Sequence, residues 1–449
     1  MKILANFCFI LYSLTIIIFK KIGELMKNKF IYILAFLLLL IFIIQTTIVY
    51  GANTNSDSDN LNIYSDAAIL MDYKTGTVLY SKASEEKMYP ASTTKILTAI
   101  LALEKCNLDD VVTVSKSAIS SIPAGYSSAY LSEGEEISVN DLITVFLVHS
   151  ANDAGYVLAE HISGSIDEFA NLMNEKALEI GCKNTHFTNP SGIHDENHYT
   201  TAYDLALIAK YCMQNSKFRN IVSMKTCTIN STNKFGVRKY TNTNDLINTS
   251  SKYYLEECIG IKTGYTAQAK NCLISACSKD NMALICVVLG ANQLNSGESS
   301  RYEDSINLFK YGYSNYSVKT FANKDDVITN IEVKNGTKDT RNLDLTLEDS
   351  ISGLIKNNLN IPDSTITLND NISAPIAKGT VLGTISYTID NNTYTKNLLA
   401  SHDVEQDAVL LFIFKIILGI ALFLILITVL FSKSKKKRKK KKKYYYGGI

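Results

Sequence analysis

The chain has 449 residues, of which 46% are apolar and 20% charged, a composition that excludes a mostly disordered chain and supplies ample material for a buried core. That length predicts two or three domains. The formal net charge of +2 conceals an asymmetry: residues 433–443 carry ten Lys/Arg, whereas residues 53–407 carry 29 Lys/Arg against 42 Asp/Glu, a net of −13. A body this acidic argues against nucleic acid as a partner.

Residues 30–49 (FIYILAFLLLLIFIIQTTIV) form an apolar run preceded by Lys27 and Lys29 and followed by Gly51 and Ala52. This is the layout of an export signal, and its length also suits an uncleaved anchor. Residues 3–19 are a second apolar stretch. Met26 opens a complete signal by itself, so residues 1–25 read as an upstream extension, with a two-helix N-terminal hairpin as the alternative. We assign residues 1–52 to this leader.

Ala67–Met71 and Thr77–Tyr80 flank Asp72-Tyr73-Lys74-Thr75-Gly76 and predict a β-hairpin. Pro90-Ala91-Ser92 then opens a helix whose apolar residues recur at helical spacing. Residues 139–149 and 153–163 predict two apolar helices broken at Ser150–Asn152, with Ser138 as a cap. Residues 201–214 predict another, opened by Thr200 or Thr201. Cys272–Cys277 and Met282–Leu289 read as adjacent buried strands. Helices and strands mix without a regular βαβ repeat, which predicts an α+β body with helices on a largely antiparallel sheet, over 53–315. Beyond Tyr316, short alternating stretches (327–333, 343–347, 365–368, 381–389 and 393–399) predict a small all-β domain over 316–403, with a hairpin turn at Asp390-Asn391-Asn392.

Residues 408–431 (AVLLFIFKIILGIALFLILITVLF) are long enough to span a bilayer, and Lys415 is their one charge. The run is apolar on all faces, which favours a span (404–432 with its flanks) over a surface helix. The basic residues of 433–449 follow at once and place the tail in the cytoplasm and residues 53–407 outside. Of nine cysteines, Cys8 lies in the leader and eight fall between residues 106 and 286. No CxxC pair appears, and several sit in apolar stretches, so they read mainly as small core residues. His194 and His198 lie in a loop marked by Pro190, Ser191 and Gly192, where a solvated or capping role outweighs metal ligation.

Ser92-Thr93-Thr94-Lys95 places a hydroxyl and an amine on one helical face, near the positive end of a helix. A lysine kept neutral by burial can take the serine proton, which makes a nucleophile pair. Alone the motif is weak: the spacing recurs at Ser84–Lys87, Ser231–Lys234, Ser432–Lys435 and Ser434–Lys437. Ser150-Ala151-Asn152 and Lys262-Thr263-Gly264 also have look-alikes, among them Ser58-Asp59-Asn60, Ser138-Val139-Asn140 and Lys74-Thr75-Gly76. Order and context select one set. Ser92–Lys95 opens an apolar helix, Ser150–Asn152 falls in a break between two helices, and Lys262–Gly264 precedes two buried strands.

The three motifs, with PASTTKILTA, HSANDAGYVLAEHI, NPSGIHDENHYTTAYDLA and IKTGYTAQAKNCL, resemble the low-molecular-weight penicillin-binding proteins, which are serine-type D-alanyl-D-alanine carboxypeptidases. The likeness runs from about Ala67 to Tyr313, and Ala374–Ser401 is similar to that family's C-terminal β-domain. The resemblance implies a β-lactamase/transpeptidase-like catalytic domain that removes the terminal D-alanine of peptidoglycan stem peptides and is acylated by β-lactams. It implies Ser92 as nucleophile, Lys95 as base and Ser150 as proton relay. Asn152 would hold the substrate amide, and Lys262 and Thr263 the terminal carboxylate. The amides of Ser92 and Tyr265, beside Gly264, would form the oxyanion hole. It implies no metal and no organic cofactor. The family usually has Gly where Lys270 stands, in Ala269-Lys270-Asn271-Cys272. A class A β-lactamase shares the motifs, but no Glu-x-x-x-Asn pattern lies between Glu168 and Glu196. A cross-link endopeptidase and a non-catalytic peptidoglycan-binding anchor remain as alternatives.

Overall fold

The computed structural model describes residues 61–294, 297–389 and 392–445. The leader with Cys8, and the Asp390-Asn391 part of the expected turn, lie outside the described residues. The expected hairpin is present as β1 (Ala67–Asp72) and β2 (Val78–Lys82). Its turn is held by the Asp72 carboxylate, which accepts from the Lys74 and Thr75 amides at 3.1 and 2.8 Å. A 3-10 turn over Ala91–Thr94 feeds α1 (Lys95–Lys105), so Ser92 sits in the tight turn just ahead of the α-helix.

The chain then forms β3 (Val111–Thr113), α2 (Lys116–Ser120), β4 (Glu136–Ser138) and the two expected helices α3 (Val139–Val148) and α4 (Asn152–Ser163). Ser138 caps α3, its hydroxyl accepting from the Asp141 amide. Next come α5 (Ile166–Ile180) and α6 (Ala202–Cys212), which Thr201 caps through the Asp204 amide. Then follow α7 (Ser216–Val222) and a hairpin of β5 (Thr226–Ile229) with β6 (Arg238–Thr241). Three long strands complete the body: β7 (Cys258–Thr266), β8 (Lys270–Lys279) and β9 (Met282–Ala291), before α8 (Arg301–Asn315).

The main sheet runs β2-β1-β9-β8-β7, and every neighbouring pair is antiparallel. All ten residues of β9 are buried because helices cover both faces. The period-two alternation of strands divides its side chains. Ile285, Val287 and Leu289 join Ile69 and Met71 in a core with α1, α3, α4 and α6, while Leu284, Cys286 and Val288 join Ala68 and Leu70 against α8. The strand β7 is left at an edge, carrying Lys262–Gly264, which the sequence reading had placed only ahead of the buried strands. All eight described cysteines are thiols, and six are buried, as expected of core residues.

From Tyr316 the chain is all β: β10 (Tyr316–Ala322), β11 (Val327–Glu332), β12 (Asn342–Leu347), β13 (Ile351–Lys356), β14 (Ser364–Leu368), β15 (Val381–Ile389) and β16 (Asn392–Ala400). One sheet runs β11-β12-β16-β15-β14, and β10 pairs with β13 across a core of Leu343, Leu345, Ile385 and Leu398. The strands β10 and β13 escaped the sequence reading. Gly353 interrupts the apolar pattern of β13, because a Cβ there would meet the Phe321 and Tyr394 rings at 2.7 Å. The helix α9 (Ala408–Tyr445) contains Phe412–Phe431, 20 residues of mean hydropathy 2.9 with none buried. At 1.5 Å per residue that is about 30 Å, the thickness of a bilayer core.

The turn between β7 and β8 explains how a lysine is accommodated where the family uses glycine. Lys270 has φ 56°, in the left-handed region that costs a residue with a Cβ about 1 kcal/mol. Its ammonium is tied to Asp66 at 2.7 Å and to Asn292 Oδ1 at 2.8 Å. Both charged side chains are more than two-fifths exposed, so the pair returns only a fraction of that cost. Lys270→Gly should therefore stabilise the protein by a few tenths to about 1 kcal/mol, whereas Lys270→Ala, which keeps the strain and loses the pair, should lower stability. Denaturant unfolding of both variants checks this, and a destabilised glycine variant would contradict it.

Candidate active site

The centre of the site is the Lys95 amine, whose side chain is 0% exposed. It lies 2.8 Å from each of three oxygens: Ser92 Oγ, Asn152 Oδ1 and the Ser191 carbonyl. Two of these can only accept. A neutral amine has two N–H groups and one lone pair. Donating to Asn152 Oδ1 and Ser191 O leaves that lone pair for the Ser92 hydroxyl proton. Burial and the nearby charge of Lys262 hold the Lys95 amine well below the usual lysine range, against the opposing pull of Asp153. The ring of Phe146 lies 5.5 Å from Nζ. The arrangement can turn a serine hydroxyl into a nucleophile at the N-terminal end of a helix.

Ser150 and Asn152 come from the break between α3 and α4. Ser150 has φ 67° and Ala91, just before Ser92, has φ 48°. Strained backbone of this kind persists where surrounding contacts fix it. Here Asn152 supplies them: its amide and its Nδ2 both donate to the Ser127 carbonyl at 2.8 Å. Asp153, buried in the first turn of α4, accepts from the Ala129 and Leu131 amides at 2.9 and 3.0 Å and from Ser128 Oγ at 2.6 Å. One carboxylate thus fixes the loop that forms one cleft wall. Both ends of the Asn152 side chain are engaged internally.

The opposite wall is the edge strand β7. Gly264 lets it run against the nucleophile turn: a Cβ there would lie 3.0 Å from the Ser92 amide nitrogen and from the Pro90 carbonyl oxygen. Thr263 Oγ1 is 2.6 Å from Thr243 Oγ1. Lys262 is 1% exposed, and its Nζ donates to the Thr263 carbonyl at 3.0 Å. Burial, reinforced by Arg301, lowers its amine to about 7. Between the walls lies a cleft of about 430 Å³, lined by Ser92, Ser150, Asn152, Thr263, Gly264 and Tyr265 among others, with Arg301 and Thr243 at the same wall. The structure brings the eight sequence-derived site residues together, six along the cleft and the two lysines buried behind it.

A third segment, residues 188–198, closes the base. Gly192, at φ 76°, passes so near the nucleophile turn that a Cβ would lie 1.8 Å from the Ala91 carbonyl oxygen. Of the solvated or capping role expected of His198, burial excludes the solvated one: it is 2% exposed. Its Nδ1 accepts from the Thr188 amide at 3.1 Å, so Nε2 carries the proton and donates to Thr94 Oγ1 at 2.9 Å. Burial drops the imidazole to about 3, so it stays neutral. His194 packs edge-on against Tyr89. Sequence reading missed Arg301, Thr243, Asp153, His198 and the Ser191 carbonyl. Each acts across 20 or more residues of chain or through the backbone, and nothing in the sequence beside Asp153 or His198 marks either as part of the site.

Comparisons with known proteins identify the family of this chain. The family model for D-alanyl-D-alanine carboxypeptidases matches residues 52–293, and that for the C-terminal domain of penicillin-binding protein 5 matches residues 316–406. The chain is 35% identical over 351 residues to the D-alanyl-D-alanine carboxypeptidase DacF of Bacillus subtilis, covering 76% of this chain and 86% of that protein. To DacA of Haemophilus influenzae it is 32% identical over 347 residues, covering 75% and 84%. Among solved structures, penicillin-binding protein 5 of Haemophilus influenzae matches with TM-score 0.60 and 31% identity over 77% of this chain and 98% of its own. A mutant of the Streptomyces K15 DD-transpeptidase matches with TM-score 0.51 and 31% identity, over 56% of this chain and 99% of its own. With its three motifs converging on one cleft and both domains matched, this chain belongs to the serine D-alanyl-D-alanine carboxypeptidase family of penicillin-binding proteins.

Proposed function

We propose that Ser92 is the acylated nucleophile and Lys95 its general base, acting on the peptide bond between the two terminal D-alanines of peptidoglycan stem pentapeptides. The observation that supports this most directly is the set of three oxygens at 2.8 Å around the Lys95 amine, which reserves its lone pair for the Ser92 proton. Ser92 Oγ attacks the carbonyl carbon as its proton passes to Lys95. The amides of Ser92 and Tyr265 hold the developing oxyanion. The C–N bond breaks, Ser150 passes a proton to the leaving D-alanine, and water hydrolyses the ester. A β-lactam enters the same path, but its leaving amine stays tethered.

Lys262, Thr263 and Arg301 bind the terminal carboxylate in this scheme. Two cations at one wall of an otherwise acidic body suit a single anionic group. Asn152 turns its amide to the substrate backbone only by giving up one of its internal bonds. The helix α9 anchors the protein in the membrane with the catalytic domain facing the wall and the basic tail in the cytoplasm, since clustered Lys/Arg resist translocation.

Three outcomes test this reading. Penicillin should label the peptide that contains Ser92, and Ser92→Ala should abolish labelling and lower D-alanine release at least about a thousandfold while the protein stays folded. Label on another serine would overturn the assignment. The second concerns pH. An amine lowered to about 7 is cationic below that pH and neutral above it. The KM for an acid-terminated substrate should therefore rise as pH passes 7, while that for an amide-capped analogue should not. Lys262→Arg, charged throughout, should flatten the rise, and Lys262→Ala should weaken the acid by about ten- to a hundredfold. Third, on intact cells a membrane-impermeant thiol tag should reach Thr388→Cys and spare Lys435→Cys. Labelling of the tail from outside would reverse the orientation.

A further inference from the structure

The start of β7 carries a pair of thiols that the reaction does not use. The Ser278 amide donates to the Glu257 carbonyl at 3.1 Å, the bond of a hydrogen-bonded pair. In an antiparallel ladder such pairs alternate with non-hydrogen-bonded ones, whose Cα atoms stand about 4.5 Å apart and whose side chains point the same way. The next pair in register is Cys258 with Cys277. That spacing lies within the range a disulfide spans, about 4.4–6.8 Å between Cα atoms. The Cys258 thiol donates to the Gly260 carbonyl at 3.3 Å, and burial, with the Cys258 thiol beside it, pushes the Cys277 thiol well up. Among the described cysteines no other two stand opposite each other in neighbouring strands. Cys286 stands opposite Ser275, not Cys277.

We propose that Cys258 and Cys277 form a thiol–disulfide exchange site that takes small-molecule disulfides and becomes a reversible cross-strand bond. Cys258 is half-buried and Cys277 is 0% exposed, which sets the order of events. The Cys258 thiolate attacks one sulfur of the small disulfide, forming a mixed disulfide and releasing one thiol. The Cys277 thiolate then attacks Cys258 Sγ and expels the second thiol. One disulfide is reduced to two thiols as two protein thiols are oxidised, and the two protons they lose end on the thiols released. Burial pushes the Cys277 thiol well up, so the second step slows in acid and gains from proximity. The bond would staple β7, which among the described residues is paired on one side only, four residues before Lys262.

The test uses the full chain in detergent micelles with oxidised glutathione as the small disulfide. Expected are the loss of two thiols and a peptide joining Cys258 to Cys277, about 2 Da lighter than the two reduced peptides together, reversed by dithiothreitol. The bonded form should also unfold at a higher temperature than the reduced form, because the cross-link constrains the unfolded chain. Cys258→Ser should leave Cys277 as a free thiol under the same treatment. Because Cys258 is half-buried, that variant keeps its core and reads out even if Cys277→Ser fails to fold. Three results would overturn the proposal: a glutathione adduct that persists on Cys258 without a cross-link, a cross-link from Cys277 to Cys286, or two thiols that stay free.

Discussion

A lysine amine taken wholly out of water is the constraint around which this enzyme is arranged. An unpaired ammonium in an apolar interior is costly, and burial lowers its basicity until the neutral form prevails. Lys95 meets that demand with oxygens from three separate segments: the turn before α1, the start of α4 and the 188–198 loop. None of these segments is close to another along the chain beyond the first. The proposed nucleophile pair would therefore acquire its chemistry only when the helical layer, the loop and the sheet have all docked.

The cleft follows from how those layers meet. Among the described residues the sheet ends at β7, with no strand at its outer edge, and the helical layer ends in the α3–α4 break. Both serines sit at or beside left-handed backbone, at Ala91 and Ser150. Such strain is tolerated because neighbours over-determine it: Gly192 and Gly264 bring two other segments into van der Waals contact with the first turn, and Asn152 fixes the second. The second buried lysine, Lys262, adds repulsion that keeps Lys95 neutral, and Arg301 does the same to Lys262. In the proposed roles, a cation and a base are thereby separated by environment rather than by residue type.

The β-domain and α9 place this machinery. The helix α8 runs straight into β10 at Tyr316, so the β-domain continues the catalytic body without a flexible linker. The apolar span follows β16 within a few residues. In the proposed topology an acidic body of net −13 would gain from being held away from an anionic membrane surface, and a folded spacer would hold it there more firmly than an unstructured one.

The sequence alone determined whatever is encoded locally. The hairpin of β1 and β2, the apolar faces of α1, α3, α4 and α6, the buried strands β8 and β9 and the apolar span all declare themselves by periodicity and turn residues. The three motifs held seven site residues, picked out from their look-alikes by order and context, and the family resemblance added Tyr265. What only tertiary structure decided is what depends on distant partners. That β7 is an edge strand, that Asp153 clamps residues 128–131, that a buried neutral His198 holds Thr94, and that Arg301 reaches the cleft from α8 are facts of packing. Lys270 shows the difference within one residue: its departure from glycine is visible in the sequence, but the left-handed turn and the Asp66 and Asn292 contacts that sustain it are not. The physical reason is that hydrophobic pattern and turn chemistry act over a few residues, whereas burial, and the basicity it sets, belongs to the whole fold.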